Sequence, residues 1–108
     1  MAAPAELTAP PGELARRFHE LVATWKAESL LMSSATDMAL LPSYQRIIGL
    51  GPAVVPLLLR ELEREPDHWF WALGAVTDAN PVPEAASGNL RDMTRAWLEW
   101  GREHGYLD

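Results

Sequence analysis

One stretch, residues 44–76, constrains the fold of this chain more than any other. It reads YQRIIGLGPAVVPLLLRELEREPDHWFWALGAV: the end of one helix, a glycine–proline corner, an amphipathic segment, a polar turn and a tryptophan-rich segment. Gly49 and Gly51 supply the backbone freedom that a sharp corner needs. Pro66 ends the amphipathic segment, because a proline interrupts a helix. The stretch therefore predicts two consecutive helices packed as an αα-hairpin.

The segments before and after this hairpin also carry helical patterns. From Leu14 to Trp25, apolar residues recur at i, i+4, i+7, i+8 and i+11, the spacing of one helix face. The same kind of stripe runs from Leu90 to Trp100, after an Asn89-x-x-Asp92 pair that resembles a capping box. The predicted helices cover about residues 12–32, about 37–48 with a restart at Pro42, about 52–64, about 67–77, and about 89 to 101 or 105.

These patterns predict an all-α fold, a small bundle of about five helices with the hairpin at its centre, between the first and last helices. Residues 1–12 are rich in proline and alanine and are expected to form a flexible leader. Residues 13–108 are then a single helical domain. At 108 residues, 48% of them hydrophobic, the chain is long enough to bury a core, and its five tryptophans are expected to occupy much of it.

The charge balance limits the classes of partner. A net charge of −6 opposes binding to a phosphate backbone and favours a basic protein as partner. The absence of cysteine excludes disulfides and thiolate metal sites. The N-terminus lacks a basic region followed by an apolar run, and no apolar stretch is long enough to span a membrane. We therefore expect a cytoplasmic protein without a membrane partner.

The strings IIGLGPAVVPLLLREL and WFWALGAV resemble one unit of the HEAT-type helical repeat, over about residues 44–77. The sequence departs from that pattern at residues 67–71, where bulky aromatic side chains replace small packing residues. The strings SYQRIIGLG, EPDHWFWAL and AWLEWG also resemble a family of small bacterial helical proteins, a resemblance that implies no activity. The HEAT-type resemblance implies contact with another protein rather than chemistry.

No catalytic motif stands out. His19, His68 and His104 do not form a metal-binding spacing such as H-E-x-x-H, and the serine-nucleophile motif G-x-S-x-G is missing. Gly49-Leu50-Gly51 is not a phosphate-binding loop, because no lysine follows it. We therefore expect no catalytic residue, no cofactor and no metal site, and predict that the protein is not an enzyme.

The candidate partner-binding residues surround the turn of the hairpin: Glu61, Glu63, Glu65, Asp67, His68, Trp69 and Trp71. The acidic residues form either a solvated rim or a docking site for a basic partner, and Asp67 is also placed to cap the following helix. Trp69 and Trp71 lie about 200° apart around a helix, so one of them is expected to be partly exposed. The predicted function is non-enzymatic protein–protein interaction, as a neutralising or accessory partner of a basic protein, antitoxin-like or of the phage and defence type.

Two alternatives stay open. A ligand-binding domain or small enzyme would use a cleft between the tryptophan helix and the last helix, with His68, Asp67 and Arg95 converging on it. A helical DNA-binding regulator would use Arg91, Arg95 and Arg102 on the last helix, although acidic residues are interspersed among them.

Overall fold

The computed structural model describes residues 11–108, and over this range the chain is helical with no strand. The helices are α1 (Pro11–Ser29), α2 (Ala35–Ala39), α3 (Pro42–Gly49), α4 (Val55–Arg64), α5 (Phe70–Thr77) and α6 (Leu90–Glu103), with 3₁₀ turns at Pro52–Val54 and Glu84–Ala86. The predicted all-α class is confirmed. The described residues form six helices instead of about five, because the predicted second helix is divided at Pro42 into α2 and α3.

Local chemistry explains this division. The Ser34 side chain accepts a hydrogen bond from the N–H of Asp37 and so caps α2 at its start. Pro42 is the first residue of α3, a position where its missing N–H costs nothing. The residue before a proline is driven away from helical geometry, and Leu41 is accordingly extended, with ψ of 142°.

The glycine–proline corner has the predicted form, but the helix after it begins later than expected. Gly51 has φ of 86°, a conformation that glycine adopts without strain. An α-helix starting at Pro52 would need the N–H of Pro56, which proline lacks. The chain therefore makes a 3₁₀ turn at Pro52–Val54, and α4 begins at Val55.

Both ends of α1 differ from prediction. The predicted leader covers residues 1–12; residues 1–10 lie outside the described part of the chain, and α1 already begins at Pro11. At the other end α1 stops at Ser29, whose hydroxyl donates to the carbonyl of Trp25 at 2.7 Å. Leu30 and Leu31, predicted to lie within this helix, follow it in the α1–α2 loop and are 79% and 96% exposed.

A single cluster of buried side chains draws on all six helices. Three rings lie at its centre: Trp69 is 4.5 Å from Trp25 and 5.7 Å from Tyr44, measured between ring centroids. The indole N–H of Trp25 donates to the carbonyl of Met38 at 2.8 Å, so this buried polar group is satisfied. The aromatic cluster thereby joins α1, α3 and the segment before α5.

The helices pack in neighbouring pairs around this cluster. Helix α4 contacts α5, as the hairpin prediction requires, and α6 packs on α4. Helix α1 packs mainly on α3 and reaches the hairpin through Trp25. At the C-terminus the N–H groups of Tyr106 and Leu107 both donate to the carbonyl of Gly101, so the chain folds back on α6.

Candidate functional site

The turn between α4 and α5 is held in place from α3 by the hydroxyl of Tyr44. This hydroxyl donates to the carbonyl of His68 and accepts from the N–H of Ala72, both at 2.9 Å. Ala72 lies in the first turn of α5, where an N–H has no partner within its own helix. Burial raises the pKa of Tyr44 far above its ordinary value, so the hydroxyl keeps its proton and can donate.

The prediction that Asp67 caps the tryptophan helix is wrong. Helix α5 begins at Phe70, three residues after Asp67, and has no side-chain cap from its own N-cap residue. The Asp67 carboxylate instead accepts from the N–H of His68 at 2.8 Å, and the Asp67 carbonyl accepts from Trp69. These bonds keep residues 67–69 in a turn. Tyr44, distant in sequence, takes over the capping of α5.

The prediction that Glu61 faces water is also wrong. Glu61 is 3% exposed and lies between Leu58 and Leu62 on the buried side of α4. Its Oε2 is 3.2 Å from Nζ of Lys26, which comes from α1, and 2.5 Å from Nη2 of Arg64. A carboxylate is tolerated in a buried position when cations and hydrogen bonds surround it, and Glu61 therefore belongs to the packing of α1 on α4.

The other predicted acidic residues divide into two groups. Glu63 pairs with Arg102 at 3.4 Å and Glu65 pairs with Lys26 at 2.6 Å. The hydrogen bond and the positive charge from Lys26 lower the pKa of Glu65. Partial burial disfavours the charged form of Lys26 and so acts to lower its pKa. The hydrogen bonds that Lys26 makes to Glu65 and Glu61 outweigh this effect, so the pKa of Lys26 is raised. Of the four predicted carboxylates, only Asp67 has no ion pair with any residue in the range 11–108.

The two tryptophans of the turn point in different directions, as their spacing predicts. Trp69 is fully buried in the aromatic cluster, whereas Trp71 is 47% exposed. Trp69 is therefore a core residue, and of the two only Trp71 has surface available to contact another molecule. This outcome confirms that one of the pair is exposed and identifies which one it is.

Trp71 lies on a cleft between α2, α5 and the start of α6, which we call the Trp71 cleft. It has a volume of about 390 Å³, and its lining is mostly apolar. The lining residues are Ala35, Thr36, Ala39, His68, Phe70, Trp71, Gly88, Leu90 and Met93. His68 is the one titratable residue in this lining, so the cleft offers apolar contact and little charge of its own.

Five large apolar side chains are exposed among the described residues: Leu30, Leu31, Leu40, Trp71 and Leu90. Trp71 and Leu90 line the cleft itself, and Leu30 lines an adjoining depression that shares His68 with it. Leu31 and Leu40 are next in sequence to lining residues. Leu90 belongs to the apolar stripe of the last helix, which predicts that it is buried in the core. Its partial exposure could therefore not be predicted from its spacing.

A second depression lies behind the Trp71 cleft, under the loop of residues 78–88, and we call it the rear depression. It has a volume of about 500 Å³ and is lined by Phe70, Gly74, Ala79, Asn80, Val82, Glu84, Ser87, Met93 and Trp97. Phe70 and Met93 line both the cleft and the rear depression. The two cavities are therefore neighbours separated by these two side chains.

The residues proposed for a ligand-binding or enzymatic cleft are not brought together. His68 lines the Trp71 cleft, while Arg95 lines a different depression with Asp92 and Glu99. Asp67 lines the depression beside Leu30. Among the residues described, no group of three or more His, Asp or Glu side chains is placed to hold a metal ion.

The arginines of α6 do not form a basic face of the kind that nucleic-acid binding needs. Arg102 is paired with Glu63, and Arg95 lies beside Asp92 and Glu99. Arg91 is exposed at the start of the helix, next to Leu90. Binding to a phosphate backbone depends on several cations acting together. On α6, carboxylates lie beside Arg95 and Arg102.

Comparison of the chain with protein-family models, with curated proteins and with solved structures found no match. None of the helices in the described range has both the length and the hydropathy needed to traverse a bilayer.

Proposed function

We propose that this protein is a non-enzymatic interaction module that binds another protein through the Trp71 cleft. The observation that carries the proposal is that Trp71 and Leu90, two of the five large apolar side chains exposed in residues 11–108, line this cleft, and that Leu30 lines the adjoining depression. Scattered exposed apolar residues are ordinary, but a gathered set marks a surface that is covered in a complex.

The identity of the exposed residues supports the same proposal. Tryptophan is enriched among the side chains that dominate binding energy at protein interfaces, and Trp71 offers nearly half of its surface. Two hydrogen bonds of the Tyr44 hydroxyl hold the turn that carries His68 and the start of α5, which favours a cleft wall that is already formed before a partner binds. An enzymatic use of the cleft has less support, because His68 is its one titratable residue.

The predicted partner-binding surface changes accordingly. Trp71, His68 and Asp67 stay in the proposal, while Glu61 and Trp69 are buried and serve the fold. Glu63 and Glu65 are engaged in exposed ion pairs, with Arg102 of α6 and Lys26 of α1. With a net charge of −6, we retain the proposal that the partner is basic and that this protein neutralises or assists it.

The test is capture of partners on the wild-type protein, followed by measurement of the affinity of each purified partner by calorimetry. We expect Trp71→Glu to weaken binding by about 30-fold or more, as loss of an interface hot spot does. Ala23→Glu is the matched control, because Ala23 is exposed on α1 and lines none of these cavities. Equal affinity of all three proteins for the captured partner would remove the proposal.

A further inference from the structure

A further cavity lies at the start of α6, and we call it the Thr94 depression. It has a volume of about 580 Å³ and shares Gly88 and Leu90 with the Trp71 cleft. Its lining residues are Pro66, Gly88, Asn89, Leu90, Arg91 and Thr94. Arg91 is the one charged residue among them, and it has no ion pair with a residue in the range 11–108. The lining therefore combines an unpaired cation with no carboxylate.

The backbone at the start of α6 adds hydrogen-bond donors to this lining. The N–H groups in the first turn of a helix have no partner within that helix, and they lie at the positive end of its dipole. The side chain of Asn89 accepts from the N–H of Asp92 at 3.0 Å and so satisfies one of them. The N–H groups of Leu90 and Arg91 make no backbone hydrogen bond within the described range. Both can therefore donate to a bound acceptor.

The hydroxyl of Thr94 is a buried polar group without a partner. Thr94 lines the depression but is only 7% exposed, and its Oγ1 makes no hydrogen bond to residues 11–108. A helical threonine can donate to the carbonyl four residues earlier, as Thr24 and Thr77 do, whereas Thr94 does not. Side chains on a helix lean towards its N-terminus, so Thr94 leans towards the turn that carries the free N–H groups. An unpaired buried hydroxyl is costly, and a bound acceptor would remove that cost.

We propose that the Thr94 depression binds the phosphoryl group of a small molecule. The N–H groups of Leu90 and Arg91, the guanidinium group of Arg91 and the hydroxyl of Thr94 are its donors. Phosphoryl oxygens accept several hydrogen bonds at once, and their charge is favoured both by arginine and by a helix N-terminus. The net charge of −6 repels an anion at long range, so the affinity comes from these close contacts. This site goes beyond the proposed function, because it needs no protein partner.

The test is a titration of the full-length wild-type protein with inorganic phosphate at constant ionic strength, followed in amide NMR spectra. We expect the signals of Leu90 and Arg91 to shift together and to saturate. Arg91→Gln and Thr94→Val are each expected to weaken binding by about tenfold, as the loss of a hydrogen bond to a charged group does. Arg95→Gln is the matched control, because Arg95 is exposed on the same helix but lines a different depression. It is expected to bind phosphate as the wild type does.

Thermal unfolding provides an independent measurement on the same proteins. In phosphate-free buffer, Thr94→Val removes the unpaired hydroxyl and keeps the shape of the side chain, so it is expected to be at least as stable as the wild type. A ligand that binds only the folded state raises its melting temperature. Added phosphate should therefore stabilise the wild type and Arg95→Gln more than Thr94→Val or Arg91→Gln.

No saturable shift, or equal shifts in the wild type and in every variant, would overturn the inference; a hydroxyl that is bonded only to water predicts the first of these results. Acetate that binds as tightly as phosphate would refute the assignment to a phosphoryl group. Phenyl phosphate distinguishes the two sources of such a group. Tighter binding than that of inorganic phosphate would identify an ester as the ligand, and equal or weaker binding would identify the free ion.

Discussion

The ammonium group of Lys26 lies 3.2 Å from Oε2 of Glu61, a carboxylate that is 3% exposed in the middle of α4. Lys26 comes from α1 and also reaches Glu65 at 2.6 Å, while Arg64 approaches Glu61 from within α4 at 2.5 Å. One buried anion therefore lies between two cations from different helices. This arrangement links the first helix to the hairpin beside the aromatic cluster.

We predict that removing both cations destabilises the fold, and that removing the anion as well restores most of the lost stability. Lys26→Met with Arg64→Met leaves the Glu61 carboxylate buried without compensation, and we expect the free energy of unfolding to fall by about 3–5 kcal/mol. Adding Glu61→Leu to this pair is expected to recover most of the loss, because well-packed apolar residues replace a buried ion pair at little cost. Urea denaturation of the wild type, the double variant and the triple variant measures the three unfolding free energies. Equal stability of the double variant and the wild type would show that the Glu61 carboxylate does not depend on these two cations.

The same network predicts a dependence on pH. The pKa of Glu65 is lowered in the folded protein, mainly by the hydrogen bond from Lys26. A lowered folded pKa contributes stability above the unfolded value, near 4.5, and this contribution is lost as the pH falls through the folded value. The difference in unfolding free energy between wild type and Glu65→Gln should therefore shrink from neutral pH to below 4.5. In a Lys26→Met background, the pH-dependent difference made by Glu65→Gln should become much smaller, because only the weaker attraction of Arg64 then lowers the pKa of Glu65.

The sequence was sufficient to predict the helices, because their apolar stripes and their proline and glycine boundaries are local signals. The cap at Ser34 and the restart at Pro42 follow from side chains that lie within a few residues of the helix start. The side of α1 that faces the core could also be predicted, since the spacing from Leu14 to Trp25 defines one face.

The site was less predictable, since it depends on contacts between residues that are distant in sequence. Glu61 reads as a surface residue until Lys26, on another helix, is seen beside it. Asp67 satisfies the local rule for a helix cap, but Tyr44 from α3 occupies that role and α5 begins later. Periodicity likewise assigns Leu90 to the core, whereas its position as the first residue of α6 leaves it partly exposed.

The capping role of the Tyr44 hydroxyl leads to the next prediction. Tyr44→Phe keeps the ring in the aromatic cluster but leaves the N–H of Ala72 and the carbonyl of His68 without their partner. We expect a loss of about 2 kcal/mol in unfolding free energy, as for a buried hydrogen-bonding group left unsatisfied. Hydrogen exchange at the Ala72 amide should become faster. Tyr106→Phe is the control, because its hydroxyl makes no hydrogen bond to residues 11–108, and no change at Ala72 in Tyr44→Phe would contradict the prediction.

The same substitution, tryptophan to alanine, is expected to affect folding at Trp69 and binding at Trp71. Trp69→Ala removes a fully buried side chain and should lower the unfolding free energy by about 3–5 kcal/mol. Trp71→Ala removes a half-exposed one and should cost about 1 kcal/mol or less. Binding of a partner captured on the wild-type protein, followed by fluorescence anisotropy, should instead weaken most in Trp71→Ala. Similar stability losses in the two variants would mean that Trp71 belongs to the core.

The last prediction concerns Gly101, where α6 passes close to α4. A Cβ atom at this position would stand 2.8 Å from Cδ1 of Leu59 and 3.2 Å from Cδ1 of Leu107, so both leucines would have to move. Gly101→Ala is therefore expected to lower the unfolding free energy by about 1 kcal/mol, even though alanine favours a helix over glycine by a similar amount. Gly49→Ala is the matched control, because a Cβ there meets nothing within 4 Å, and it should gain about 0.5–1 kcal/mol. Thermal and urea denaturation measure both variants, and a gain at Gly101 as large as the gain at Gly49 would show that α6 does not need this close approach.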